Sequence, residues 1–188
     1  MEQSTEAVAA AEPAAQPVIA NNDNPGIIAP GPVIAFGALV LGFAFDQLHL
    51  SRVINQVPSL TRESVALSLV SWGLWYNLRA NLIFWRTKTP FLPWQPTRAV
   101  AANDIYARTR NPMYQGFFLI ALGLAVVFRI DGAVLMLIPA GLLLHYGVVL
   151  REERYLARKF GDSYRAYMAT VPRYGFAFPG FVKARSKP

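Results

Sequence analysis

The chain has 188 residues, of which 54% are hydrophobic and only 15% are charged, whereas soluble domains carry about 25% charged residues. This composition argues against an ordinary soluble enzyme. Because the sequence contains no cysteine, it excludes disulfide scaffolds, thiolate metal sites and cysteine nucleophiles. With only two histidines, a histidine-rich metal centre is not expected, and nothing in the sequence indicates a bound metal.

Residues 1–31 carry four acidic residues and no lysine or arginine, and they are rich in alanine, proline and asparagine. No basic stretch precedes an apolar core here, so we do not expect a secretory signal. We predict a disordered tail over residues 1–31, with the first ordered turn near Pro30 to Pro32.

Four apolar stretches follow the tail, at about 33–50, 64–85, 115–128 and 133–150. A helix needs about 20 residues to cross a bilayer, and the first, second and fourth stretches are long enough. The third is shorter, but a tight turn at 129–132 joins it to the fourth, which predicts a helical hairpin over 113–150. We therefore predict an all-α, polytopic membrane bundle of about four transmembrane helices, with short cytoplasmic helices at the C-terminus. A soluble helical bundle is the alternative, and it would leave little polar sequence to cover its outside.

The distribution of basic residues predicts the orientation in the membrane. The connection 86–110 holds five lysines and arginines and the segment 151–188 holds nine, whereas the first connection holds two and the hairpin tip one. By the positive-inside rule, this predicts an inner-membrane protein with both termini in the cytoplasm. The chain divides into the tail, two transmembrane helices over 32–85 and a core over 86–188. Nucleic-acid binding is not expected, because it would require a soluble basic face with stacking aromatic residues.

The second apolar stretch contains a polar and aromatic stripe, in which Ser68, Trp72, Trp75 and Arg79 are spaced by 4, 3 and 4 residues. An arginine at the end of a membrane helix can extend its charged head to the interface, which accounts for Arg79. Trp72 lies deeper. Core packing is the favoured interpretation of Trp72, and a cavity wall is the alternative.

Two segments at the cytoplasmic side carry candidate chemistry. Pro112 is placed to begin a helix, whose positive N-terminal end would face whatever occupies the preceding loop. The alternative interpretation is a helix start without a ligand, with Arg110 at the membrane interface. The fourth helix is predicted to continue beyond the membrane to Gly161. On it, His145, Val149, Glu152 and Leu156 form one stripe, and Tyr146, Leu150, Glu153 and Ala157 form the adjacent one. The two glutamates could form a solvated face or hold a ligand.

These segments form an ordered series of motifs. Arg110-Asn111-Pro112-x-Tyr114-x-Gly116 is followed by Glu152-Glu153-x-x-Leu156, then Phe160-Gly161-x-x-Tyr164-x-x-Tyr167, then Val171-Pro172-Arg173. Over roughly residues 85–175, the series resembles the isoprenylcysteine carboxyl methyltransferases and their relatives, the phospholipid N-methyltransferases. The resemblance implies an integral membrane methyltransferase that uses S-adenosylmethionine. It also implies a lipid-like acceptor, a membrane lipid or a lipidated small molecule, with a carboxylate or an amine head group.

The resemblance also implies site residues. The implied cofactor contacts are Arg98, Ala99, Val100, Ala101, Tyr106, Asn111, Pro112, Met113, Tyr114 and Glu152. We expect the catalytic residues to be Arg110, Tyr114, Glu152 and Glu153. The expected substrate contacts are Trp72, Arg79, His145 and Arg151.

Three positions depart from the family pattern. Asn111 stands where the eukaryotic carboxyl methyltransferases have histidine, so acid–base work there is not expected. Asp104 stands where the family usually has glycine, which puts in doubt a close backbone approach to the cofactor. Val148 replaces the basic residue that meets a substrate carboxylate in the carboxyl methyltransferases, and Arg151 lies on a different face. A prenylcysteine carboxylate substrate is therefore not assumed.

Two other functions compete with the methyltransferase. Membrane sterol reductases look related in their C-terminal halves and use NADPH, but a nucleotide 2′-phosphate would favour arginines where this chain has Glu152 and Glu153. The other is a non-catalytic membrane protein. The sequence does not fix the acceptor or the oligomeric state.

Overall fold

The computed structural model describes residues 24–48, 52–87 and 104–176, and all regular structure in these ranges is helical. The α-helices in chain order are α1 (Gly31–Asp46), α2 (Val53–Gln56), α3 (Ser59–Thr87), α4 (Pro112–Val127), α5 (Asp131–Leu144) and α6 (Leu150–Thr170). A 3₁₀ turn, Asp104–Ala107, precedes α4, and a π-helix, His145–Val149, joins α5 to α6 without a break. The predicted all-α class is therefore confirmed.

Prolines and one glycine define several helix boundaries. Pro112 occupies the first turn of α4, as the sequence predicts, and Pro30 in an extended conformation precedes the start of α1. Gly161 interrupts α6, because its φ of 57° and ψ of −131° are not helical, although helical structure resumes and continues to Thr170. Residues 1–23 of the predicted tail lie outside the described residues, whereas 26–29 lie against the junction of α5 and α6.

One helix among the described residues, the continuous stretch Asp131–Thr170, is long and apolar enough to cross a membrane. Its uncharged part ends at Leu150, so Arg151 and the residues after it lie beyond the portion that is apolar enough to cross. The helices α1 and α4 are apolar but shorter. Helices thus occupy all four predicted stretches, and the four membrane crossings stay a prediction.

Small residues allow the long helices to approach closely. A Cβ atom on Gly73 of α3 would lie only 2.6 Å from the carbonyl oxygen of Gly116 in α4. On the other side, Gly42 of α1 leaves no room for a Cβ atom against the backbone of Ala133 in α5. The helix α4 contacts α1, α3 and α5. Its first turn carries Tyr114, which is partly buried.

Candidate functional site

The first turns of α4 and α6 meet through Tyr114 and Glu152. The Tyr114 hydroxyl donates a hydrogen bond of 2.6 Å to Oε1 of Glu152. Within the described ranges, Tyr114 is the only hydrogen-bond partner of this carboxylate. Both residues are expected from the sequence to contact the cofactor and to be catalytic, and the structure brings them together.

The surroundings of Glu152 change its acidity. Burial raises its pKa from the ordinary value of 4.5 to about 7, the hydrogen bond from Tyr114 opposes this shift, and the neighbouring Glu153 adds to it. The carboxylate lies beyond the uncharged, apolar portion of its helix. Because Glu152 titrates near neutral pH, a cation placed beside it would stabilise its ionised form.

The 3₁₀ turn adds Tyr106 to the same region. Its side chain is buried in a cluster with Tyr76 of α3 and Ile105. Its carbonyl oxygen accepts a hydrogen bond of 2.7 Å from the hydroxyl of Tyr167 in α6. Burial raises the pKa of Tyr106, and Tyr167 and Glu152 contribute in the same direction. Its phenol therefore stays neutral and lies within electrostatic reach of the Glu152 carboxylate.

Glu153, the second glutamate of the pair, has different partners. Nε of Arg110 donates to its Oε1 at 3.0 Å, and Nη2 of Arg110 forms an ion pair with the same oxygen at 2.9 Å. Arg173 donates to its Oε2 at 3.0 and 2.7 Å. The side chains of Arg110 and Glu153 are only 8% and 5% exposed. Two arginines thus saturate Glu153, whereas Glu152 is bonded through Oε1 alone within the part of the chain that the structure describes.

Arg110 also fixes the C-terminal segment to the start of α4. Its Nη1 donates to the carbonyl oxygens of Met168 and Val171 at 2.8 and 3.0 Å. Asn111 donates from Nδ2 to the carbonyl oxygen of Arg173 at 3.2 Å. The motif Val171-Pro172-Arg173 is therefore bound to the Arg110 loop, and Asn111 serves that contact. Pro112 is fully buried beside it, and Met113 packs against the Tyr106 cluster.

Arg79 contacts the 3₁₀ turn. Its guanidinium donates to both carboxylate oxygens of Asp104, from Nε at 3.1 Å and from Nη2. Asp104 has a φ of 58°, in the left-handed region that favours glycine. The aspartate therefore adopts the backbone conformation that suits the glycine expected at this position. The ion pair ties α3 to the turn that carries Tyr106.

The other expected substrate contacts also have partners within the protein. Trp72 packs against Tyr76 and Phe176, with ring centroids 6.2 and 6.3 Å apart. Nδ1 of His145 lies 3.0 Å from the hydroxyl of Tyr174, and Arg151 donates to the carbonyl oxygen of Gly26 at 2.9 Å. The remaining expected cofactor contacts, Arg98, Ala99, Val100 and Ala101, lie outside the described residues.

The stripe that contains Glu153 lines an open groove of about 490 Å³. Its walls are Tyr146, Leu150, Glu153 and Ala157, completed by Arg154, Met168 and Arg173.

Sequence reasoning did not identify Gly31, which lies directly against the Tyr114 ring, or Tyr174, which contacts His145. The only signal for Gly31 was its position between two prolines, which indicates a turn but no contact with the site.

A family model described as phospholipid methyltransferase matches residues 61–163, more than half of the chain. Comparison with curated proteins and with solved structures gave no match. The matched segment includes Tyr106, Tyr114, Glu152 and Glu153, together with α4 and α5. The family is one of membrane-embedded methyltransferases, which agrees with the motif series read from the sequence. The chain therefore belongs to the phospholipid methyltransferase family.

Proposed function

We propose that this protein is an integral membrane enzyme that transfers a methyl group from S-adenosylmethionine to a lipid-like, amphipathic acceptor with an amine or carboxylate head group. The observation that carries the proposal is the Tyr114–Glu152 pair within the family-matched segment. A half-buried carboxylate with a single neutral partner among the described residues is suited to bind a cationic ligand.

The residues present fit this cofactor. S-adenosylmethionine carries a sulfonium and an ammonium group, so Glu152 would hold a positive group or a ribose hydroxyl, and Tyr114 and Tyr106 would supply aromatic faces near the cation. Glu153 is unsuited to this task, because Arg110 and Arg173 already neutralise it. When bound, the cofactor supplies an electrophilic methyl group. In this proposal Arg98 to Ala101 complete its site.

The residues of the chain act by positioning and by excluding water. Methyl transfer is an in-line displacement, so alignment of the acceptor atom with the methyl group provides most of the catalysis. The Tyr114 hydroxyl orients the Glu152 carboxylate, and the Arg110–Glu153–Arg173 cluster holds the C-terminal segment over the start of α4. Asn111 has no acid–base task in this scheme, since its amide is bound to the Arg173 carbonyl.

Calorimetric binding of S-adenosylmethionine and S-adenosylhomocysteine to nanodisc-embedded protein tests the proposal. We expect saturable binding to the unaltered protein and a loss of about tenfold or more in Glu152→Gln, because a tenfold change requires only about 1.4 kcal/mol. Asp162→Asn is the matched control, because this carboxylate is 98% exposed and, among the described residues, pairs only with Arg165. Absence of binding in folded protein would contradict the proposal, and binding of NADPH instead would favour a reductase.

A further inference from the structure

The segment formed by residues 26–31 precedes the family-matched region, and it contacts the Tyr114 ring and, on the helix that carries Glu152, Gly147 and Arg151. We propose that this segment positions the pair, and that Gly31 in particular holds the Tyr114 ring where its hydroxyl reaches Glu152. The inference rests on the proposed function, because it assigns the segment to the cofactor site. Gly31 and Arg151 are positioning residues in this view.

The contact at Gly31 leaves no space for a side chain. A Cβ atom at this position would lie less than 3.0 Å from both Cδ1 and Cε1 of Tyr114, and 3.5 Å from Cδ1 of Leu144. Carbon atoms pack at about 3.5 to 4.0 Å, so a methyl group here would displace the ring by about 1 Å. A displacement of this size would stretch the 2.6 Å hydrogen bond to Glu152 beyond the usual range of such bonds.

Hydrogen bonds hold the segment on the helix that carries Glu152. The Ile28 amide donates to the carbonyl oxygen of Gly147 in the π-helix at 3.3 Å, and Arg151 donates from Nη1 to the carbonyl oxygen of Gly26 at 2.9 Å. Gly147 also lacks room for a Cβ atom, because the Ile28 side chain occupies that space. The segment is thus bound to Arg151, directly before Glu152, and to Gly147, five residues before it.

Apolar packing completes the arrangement. Ile27 and Ala29 pack against a buried cluster that also contacts the Tyr114 ring. The cluster consists of Ile34, Leu144, Val148 and Val149. The segment therefore connects α4, through the Tyr114 ring, with the start of α6, through Gly147 and Arg151. Its position determines the distance between the two site side chains.

The substitution Gly31→Ala tests the inference, with Gly37→Ala as its matched control. Both glycines belong to α1, and a Cβ atom at Gly37 would meet no atom within 4 Å. We expect Gly31→Ala to weaken S-adenosylmethionine binding by about tenfold in calorimetry and Gly37→Ala to leave it unchanged. Equal affinities in the unaltered protein and Gly31→Ala would overturn the inference.

The pH dependence of binding separates positioning from a general loss of stability. The hydrogen bond from Tyr114 lowers the pKa of Glu152, so its loss should move the pH midpoint of binding upward in Gly31→Ala and in Tyr114→Phe alike. Gly31→Ala should then add little in a Tyr114→Phe background. Weaker binding with an unchanged midpoint would refute the positioning role.

A second variant covers the case in which Gly31→Ala fails to fold. Arg151 is exposed, and Arg151→Gln removes its hydrogen bond to the Gly26 carbonyl oxygen. We expect the affinity for S-adenosylmethionine to fall by a few fold and the pH midpoint of binding to shift upward as in Gly31→Ala. An unshifted midpoint in this variant also counts against the inference. If the unaltered protein binds no S-adenosylmethionine, the proposed function fails instead, so the two failures are distinguishable.

Discussion

Glu152 and Glu153 are adjacent in the chain, but their side chains serve different purposes. Consecutive residues of a helix point about 100° apart, which directs one carboxylate to Tyr114 and the other to Arg110 and Arg173. A carboxylate held by two arginines contributes to the architecture, because its removal would leave the buried guanidinium of Arg110 without this counter-charge. The sequence analysis expected both glutamates to be catalytic and, through the family resemblance, only Glu152 to contact the cofactor. The side-chain partners that distinguish them are distant in the chain.

The raised pKa of Glu152 predicts a pH-dependent stability. Because the pKa in the folded protein, about 7, exceeds the ordinary value of 4.5, the unfolded chain loses this proton first as the pH rises. The stabilising contribution is therefore fully present below about pH 4.5 and is lost as the pH rises through about 7. Glu152→Gln should abolish this dependence and should be more stable than the unaltered protein at pH 8 by about 1 to 3 kcal/mol.

Thermal unfolding in detergent at pH 5.5 and pH 8 measures this effect. Asp162→Asn serves again as the control, and it should keep the pH dependence of the unaltered protein. A Glu152→Gln variant that is less stable at pH 8 would show that the carboxylate is ionised and satisfied in the fold. A gain of stability combined with a loss of cofactor binding is typical of a residue retained for function.

At the level of the helices, the sequence predicted the elements that depend on local features. Pro112 begins α4, and a hairpin follows, because proline is suited to the first turn and because a polar turn separates two apolar stretches. The 3₁₀ turn at 104–107 and the π-helix were not predicted. Both lie at contacts between segments that are distant in the chain: Asp104 of the turn pairs with Arg79, and Gly147 of the π-helix accepts a hydrogen bond from Ile28.

The close approach of α1 and α5 predicts different effects of adding a methyl group at two glycines of α1. A Cβ atom at Gly42 would lie less than 3.0 Å from backbone atoms of Ala133, which cannot move without separating the helices. We expect Gly42→Ala to destabilise the protein by about 1 to 3 kcal/mol. Gly37→Ala should be neutral or stabilising by up to about 1 kcal/mol, because alanine favours helix and the site is open.

The midpoint of thermal unfolding, compared between these two variants in the same detergent, provides the measurement. Similar midpoints for both would mean that α1 and α5 do not pack at this position. The comparison is independent of any ligand, so it tests the helix arrangement separately from the function.

For the molecule as a whole, the sequence was sufficient to predict the helical class and the family. Both predictions rest on features that are read along the chain, namely the lengths of apolar stretches and the order of motifs from Arg110 to Arg173. The side-chain partners were not predictable in the same way. Arg79 and Asp104 are 25 residues apart and Arg110 and Glu153 are 43 apart, so only the packed helices bring them together.

The orientation of the whole chain in the membrane is open to a direct test. We propose that the chain crosses four times, with the basic connection and the C-terminal segment in the cytoplasm. Because the chain has no cysteine, single cysteines report their own accessibility. Phe128→Cys lies at the exposed hairpin tip and Ser163→Cys is exposed on α6.

We expect a membrane-impermeant maleimide to label Phe128→Cys in right-side-out vesicles, and to label Ser163→Cys only after the vesicles are opened. The reverse pattern would mean the opposite orientation, and labelling of both positions from one side would rule out a hairpin that crosses the membrane. The cysteine-free protein supplies the background signal.

The π-helix has a consequence for the charge that faces Tyr114. Its turn contains about one more residue than a turn of α-helix. Each later residue therefore takes the position around the helix axis that the residue before it would have in an uninterrupted α-helix. Each α-helical residue advances about 100° around the axis. If 145–149 were α-helical, Arg151 would point in the direction that Glu152 takes. Because of the π-helix, Tyr114 faces the carboxylate of Glu152, whereas an uninterrupted α-helix would direct the guanidinium of Arg151 toward it.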